Sequence, residues 1–205
     1  MFANNLDSSL QENLIANGLN EPTPIQQLAF KKLVAGGDHV VIGPKGSGKT
    51  HLNIVFLLHK LKTPFEDAPR ALVLVPDKAA ALELRERFLL LSGRSGLRFI
   101  CAYDGGPLDI QRDDIYGGAD VVIATPKRIQ EIYFQNGVNL NKLKHFIVDQ
   151  GENITGNTQV NVDRMFQSIP AKCQRIMLCS KFTERLDMLA ADHMPGAQFS
   201  EISPE

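Results

Sequence analysis

Short apolar runs alternate along this chain with longer stretches whose apolar residues recur at helical spacing. The runs are Val40 to Ile42, Ala71 to Val75, Arg98 to Ala102, Asp120 to Ala124, Phe146 to Val148, Arg175 to Leu178 and a short closing one, Gln198 to Ile202. Brief runs of this kind, bounded by turn residues and lacking strict alternation, read as strands covered on both faces. Leu6, Leu10, Leu14 and Ile15 mark a helix within residues 5–17, stopped at Gly18. A proline turn at Pro22 and Pro24 opens a second helix to about Ala35. Others are expected at Leu52 to Leu61, after Val75 to about Leu91, after Thr125, and from Glu184 to about Ala191. This alternation predicts an α/β fold, a parallel sheet of about seven strands with helices on both faces.

Composition narrows the picture only a little. The 205 residues are 43% hydrophobic and 22% charged, ordinary for a globular chain that buries a core. No leader pattern and no apolar run near about 18 residues is present, so a cytoplasmic protein without membrane contact is expected. The net charge of −1 argues against a surface that coats nucleic acid, but leaves room for a local phosphate-binding groove. Three cysteines (101, 173, 179) and five histidines (39, 51, 59, 145, 193) are too scattered for a disulfide frame or a metal site.

The candidate chemistry begins where the first strand ends. Residues 38–50 read Asp-His-Val-Val-Ile-Gly-Pro-Lys-Gly-Ser-Gly-Lys-Thr, which is strand, glycine loop and helix with Gly-x4-Gly-Lys-Thr at the junction. That is the P-loop pattern. Backbone N–H groups of a loop such as Lys45, Gly46, Ser47 and Gly48 wrap phosphate oxygens only where no Cβ intrudes. The helix that follows adds its unsatisfied N–H groups and positive dipole end. Lys49 would reach the β- and γ-phosphates, and the Thr50 hydroxyl would ligate Mg²⁺. The chain is therefore expected to bind a nucleoside triphosphate with Mg²⁺.

Upstream, Phe2, Gly18-Leu19 and Pro22-Thr23-Pro24-Ile25-Gln26 followed by the P-loop resemble the Q motif of DEAD-box RNA helicases. The resemblance implies ATP as the nucleotide, with Gln26 on the adenine edge, Thr23 and Leu19 beside it, and Phe2 packed against the base. A glutamine amide offers a donor and an acceptor together, which suits adenine N6 and N7. The likeness runs on through essentially the whole chain. Pro76-Asp77-Lys78-Ala79-Ala80-Ala81 stands where the family has Pro-Thr-Arg-Glu-Leu-Ala. Asp104-Gly105-Gly106 is similar to its Gly-Gly element, and Thr125-Pro126-Lys127-Arg128 to its Thr-Pro-Gly-Arg. These matches imply an RNA-backbone surface at Lys78, Gly105, Gly106, Thr125 and Arg128. The face Glu83, Arg85, Glu86, Arg87 reads as solvated.

The strand ending at Val148 leads into Asp149-Gln150-Gly151-Glu152, the Walker B arrangement of apolar strand and carboxylate that holds Mg²⁺. The family writes Asp-Glu-Ala-Asp. Here the first acid stays, while Gln150, Gly151 and Glu152 replace the other three, and Cys179-Ser180-Lys181 replaces Ser-Ala-Thr. Lys49, Asp149, Gln150 and Glu152 are thus the candidate catalytic residues, with Thr50 and Asp149 for the metal. An amide cannot take a proton from water, and losing a general base costs about 10²–10⁴ in rate. Its carbonyl can still orient a water, as glutamine does in some GTPases.

The resemblance implies one RecA-like ATP-binding domain over residues 1–205, with the Q-motif region at 1–37. It also implies a second RecA-like domain, absent from this sequence, that carries an arginine finger and half of an RNA groove. Three readings stand. One is an ATP-dependent RNA helicase with impaired hydrolysis. Another is a catalytically inactive relative that uses ATP to clamp RNA or a protein partner. The third is an unrelated P-loop enzyme such as a small kinase, against which Pro-Thr-Pro-Ile-Gln and Thr-Pro-x-Arg both argue. Gln150 separates the first two.

Overall fold

All seven apolar runs form strands: β1 (His39–Ile42), β2 (Ala71–Leu74), β3 (Phe99–Ala102), β4 (Val121–Ala124), β5 (His145–Val148), β6 (Gln174–Cys179) and β7 (Gln198–Glu201). In the computed structural model, which describes residues 6–65, 68–156 and 158–203, they make one parallel sheet ordered β3-β4-β2-β5-β6-β1-β7. Eight helices accompany them: α1 (Ser8–Ala16), α2 (Pro24–Ala35), α3 (Lys49–Leu61), α4 (Lys78–Ser92), α5 (Leu108–Tyr116), α6 (Pro126–Phe134), α7 (Thr158–Ser168) and α8 (Glu184–His193). The apolar pattern did not reveal α5 and α7. Each is short and polar, with a narrow buried stripe: Gln111 and Ile115 on α5, Val162, Met165 and Phe166 on α7.

Successive strand side chains point to opposite faces, which divides the core in two. Val41, Val73, Ile123, Ile147 and Leu178 pack against α1 to α4. Val40, Leu72, Leu74, Val122, Phe146 and Met177 pack with residues of α5 to α8 on the other side. Helix α3 is buried from Leu52 through Leu58. Each fully buried Leu, Ile or Phe contributes about 1.5–3 kcal/mol, so this helix anchors the glycine loop at its N-terminus. At the opposite end of the sheet, the buried Asp120 carboxylate accepts from Arg70 at 2.8 Å and Arg98 at 3.0 Å, tying the starts of β2, β3 and β4. Burial pushes that carboxyl up, but the bonds from the two arginines outweigh it and hold it below the usual range.

Register sets what the strands deliver at their carboxyl ends. Ile42 of β1 lies beside Cys179 of β6, and Val148 of β5 beside Met177. The glycine loop, Asp149 and Ser180 therefore emerge side by side, in the crevice where open α/β sheets bind ligands. Leu74 of β2 and Ala102 of β3 both lie beside Ala124 of β4, so Pro76-Asp77, Tyr103-Asp104 and Thr125 emerge along the adjacent stretch of the same edge. No helix among the described residues is long and apolar enough to cross a membrane.

Candidate functional site

A cleft of about 380 Å³ opens over the ends of β1, β5 and β6, lined by Lys45, Gly46, Gly48, Lys49, Thr50, Asp149, Gln150, Glu152 and Ser180 among others. Gly48 precedes α3 in the left-handed region (φ 100°), and a Cβ there would lie 2.6 Å from both Gln26 Nε2 and Thr23 Oγ1. Only glycine allows both that turn and that approach. Lys49 folds back into the loop, donating to the carbonyls of Gly43 and of Pro44 (2.9 Å) with Ser47 Oγ at 3.4 Å. Burial lowers its pKa, while the charges of Glu152 and Asp149 oppose that shift. An ammonium has three donors, so the bent lysine holds the loop open with contacts that phosphate oxygens can replace.

The proline turn meets this loop directly. The Thr23 hydroxyl donates to the Ser47 carbonyl at 2.7 Å. Gln26 Nε2 donates to the Gly48 carbonyl at 3.0 Å, and Gln26 Oε1 accepts the Thr23 N–H at 3.0 Å. The amide is buried but retains one N–H and one lone pair for a further partner. A second, more apolar cavity of about 160 Å³ adjoins it, lined by Leu19, Thr23, Gln26, Gly46 and Gly48 together with Leu14 and Val55. Phe2, the aromatic expected against a base, lies outside the described residues.

Across the cleft, Asp149 is buried and accepts from the Thr50 hydroxyl and the Gln150 N–H; burial pushes its carboxyl up to about 6 despite these bonds. Gln150 sits in the left-handed region (φ 55°), uncommon for a residue with a side chain. Its Oε1 accepts from Asn153 Nδ2 at 3.3 Å. Glu152 accepts the Ser180 hydroxyl on one oxygen, while its buried Oε2 has no partner. This bond joins the altered Asp149–Glu152 segment to the end of β6 through Ser180. Gly151 stands where a Cβ would meet Leu186 Cδ2 at 3.2 Å, so that leucine takes the room an alanine would use.

These groups fit a hard divalent cation carried by a triphosphate: a hydroxyl, a buried carboxylate that a cation would ionise, and a carboxylate oxygen left unpaired. Among the described residues no cluster of three or more His, Cys, Asp or Glu side chains could hold a metal ion unaided.

The residues expected to meet RNA gather on the neighbouring edge of β2, β3 and β4. Lys78 stands at the first turn of α4 with its ammonium 5.0 Å from the centroid of the Tyr103 ring. Arg128 is buried rather than presented: it donates to the Gly106 carbonyl at 2.9 Å, to Gln111 Oε1 at 2.8 Å and to Glu131 at 3.1 Å. At Gly106 a Cβ would fall 2.2 Å from Gln111 Nε2, so a side chain there would displace that amide, and Gly105 has a φ of 83°. Thr125 is buried and bonded to Asp104.

One expectation needs extending. The Glu83–Arg87 face of α4 is solvated, with Glu83 exposed and Arg87 half exposed, but these two residues also line the cleft together with His51. They pair at i, i+4, and the Arg87 charge together with burial, the larger cause, lowers the pKa of His51. Arg85, on another face, donates to the Phe99 carbonyl at 3.1 Å. Helical phase alone could not tell which face α3 would meet.

The DEAD/DEAH box helicase family model matches residues 23–185. The DEAD-box ATP-dependent RNA helicase 14 of Arabidopsis thaliana is 28% identical over 187 residues, covering 89% of this chain and 30% of its own length. The ATP-dependent RNA helicase RhlB of Vibrio vulnificus is 29% identical over 212 residues, covering 98% of this chain and 48% of its own. The chain thus spans about a third to a half of the length of these curated relatives. Among solved structures, a DEAD box protein from Methanococcus jannaschii superposes with a TM-score of 0.89 at 22% identity, over 95% of this chain and 53% of that one. At that identity the likeness speaks for the RecA-like fold.

Proposed function

The chain belongs to the DEAD/DEAH box helicase family, and from that premise we propose that it binds ATP with Mg²⁺ in the cleft and RNA by its backbone on the adjacent edge, with hydrolysis impaired. The observation that carries the nucleotide half is the convergence of Lys49, Thr50, Asp149 and Glu152 in one cleft next to Gln26. The glycine loop and the N-terminus of α3 would cradle the phosphates, and Lys49 would leave the Gly43 and Pro44 carbonyls to bind them. Thr50 and Asp149 would hold Mg²⁺, which when bound screens the phosphate charge. Gln26 would read the adenine edge through its remaining donor and acceptor, while its bond to Gly48 couples that reading to the loop.

Hydrolysis needs a group that draws a proton from, or orients, the attacking water. Gln150 has no basic site, and its carbonyl, which accepts from Asn153, keeps one lone pair that could orient a water but not deprotonate it. The missing base favours the second reading, an ATP-dependent clamp on RNA or a protein partner, over rapid turnover. Unwinding by a longer protein, with a second RecA-like domain, remains part of the proposal. Thermal stabilisation by ADP–Mg²⁺ and GDP–Mg²⁺ tests the base-reading role: O6 and N1–H of guanine reverse the pattern Gln26 presents. ADP should stabilise clearly more than GDP, and equal stabilisation would refute that role.

A further inference from the structure

The β2–β3–β4 edge carries an anion of its own. Thr125 begins α6, yet its hydroxyl makes no bond to that helix. Instead it donates to Asp104 Oδ2 at 2.8 Å, while the Asp104 N–H approaches the same hydroxyl at 3.3 Å. The two residues lock the exits of β3 and β4 together. Asp104 is exposed, and among the described residues no cation lies within ion-pair distance of its carboxylate. Nearby cations are engaged elsewhere: Lys78 over Tyr103, and Arg128 with Gly106, Gln111 and Glu131. A carboxylate at the start of a helix is favourable for the fold. It also accepts the hydroxyl hydrogen bond that a phosphodiester oxygen would accept, and repels any phosphate that approaches.

We infer that Asp104 is a built-in competitor for the RNA backbone, setting the affinity of this edge for single-stranded RNA from within the fold. The inference rests on the reading of this edge as an RNA surface, and adds that the chain's own carboxylate must be displaced for RNA to reach Thr125. The loss of that charge is then a gain for RNA. Asp104→Asn keeps an acceptor for Thr125 and the backbone N–H, and removes only the charge. One unit charge about 4 Å away in water is worth a factor of about five in affinity. The gain should shrink as salt rises from about 50 to 200 mM, because the effect is screened.

The test is fluorescence anisotropy of a short labelled oligouridylate titrated with the whole chain, as wild type, Asp104→Asn, Asp104→Ala and Lys127→Glu. Thermal melts alongside show that each variant is folded. Lys127 is an exposed cation of the same edge, so its reversal reports whether RNA binds there at all, whatever Asp104 does. The expected result is about fivefold tighter binding for Asp104→Asn at low salt, a gain of at least that size for Asp104→Ala, and weaker binding for Lys127→Glu. If Lys127→Glu weakens binding but neither Asp104 variant strengthens it, the competitor role is wrong and the RNA reading stands. If no variant changes binding, RNA does not use this edge, and both fall together.

Discussion

Two stretches of one sheet edge, built from strands of the same kind, end in different states. Over β1, β5 and β6 the polar groups are only partly settled: Lys49 spends its donors on its own loop, Asp149 is pushed up to about 6 by burial despite its bonds from Thr50 and Gln150, and Glu152 Oε2 is buried without a partner. Over β2, β3 and β4 the groups satisfy one another: Thr125 with Asp104, Arg128 with Gly106, Gln111 and Glu131, Lys78 with Tyr103. Buried polar groups without partners are costly, and a ligand that supplies partners recovers that cost on binding. The difference is one of degree: a ligand at either stretch would exchange internal bonds for its own, but only the first leaves a buried carboxylate oxygen without a partner.

The largest expected effect strikes the first stretch. Lys49→Ala removes a charge-assisted bond to phosphate, typically about 1.5–3 kcal/mol, so ADP–Mg²⁺ affinity by calorimetry should fall about tenfold to a hundredfold. The same substitution should leave RNA binding at low salt unchanged, and a parallel loss there would erase the contrast between the stretches.

Acid should act on the scaffold instead. His39 and His145 start β1 and β5, at the opposite ends of the strands, and burial, aided by nearby lysines, holds both near a pKa of about 4. Unfolded, they titrate near about 6.5, so the unfolded chain binds more protons between pH 4 and 6.5. The contribution of these two histidines should be fully present above about pH 6.5 and fall as pH drops toward 4, by about 3 kcal/mol each at the acid limit, partly offset by Asp149, whose raised pKa of about 6 favours the folded chain as pH falls. Urea midpoints across that range measure it, and His145→Gln should flatten the slope.

A smaller effect concerns Gly151. Gly151→Ala would press on Leu186, and a modest repacking penalty of about 1 kcal/mol is expected in urea unfolding. No loss would mean that Leu186 yields freely, and that restoring an alanine there is structurally neutral. The least effect belongs to Arg87. It is half exposed and paired with Glu83, so Arg87→Ala should weaken ATP binding only about two- to threefold, and less at high salt.

Much of this was legible in the sequence. The strands were, because most of the apolar runs are buried on both faces; the closing strand, at the sheet edge, is exposed except for Ser200. The meeting of the glycine loop and Asp149 was, because each directly follows a strand in the sequence, and both line one cleft. Helices α5 and α7 were not, since two or three buried residues among charges leave too weak a stripe to read. Neither was the position of Arg87, which depends on which face of α4 meets α3. The Asp104–Thr125 bond joins residues from two strands whose register no local pattern records. Arg128 was expected on the RNA surface from the resemblance, and only packing shows that it holds the glycine turn.

The central claim is that the cleft binds ATP and does not turn it over. A single-turnover experiment tests it most directly: the chain in excess over γ-labelled ATP with Mg²⁺, with and without single-stranded RNA, quenched over time and scored for released phosphate. The account predicts ATP that is bound yet recovered intact, with no acceleration by RNA. Rapid, RNA-stimulated release of phosphate by the unmodified chain would contradict it.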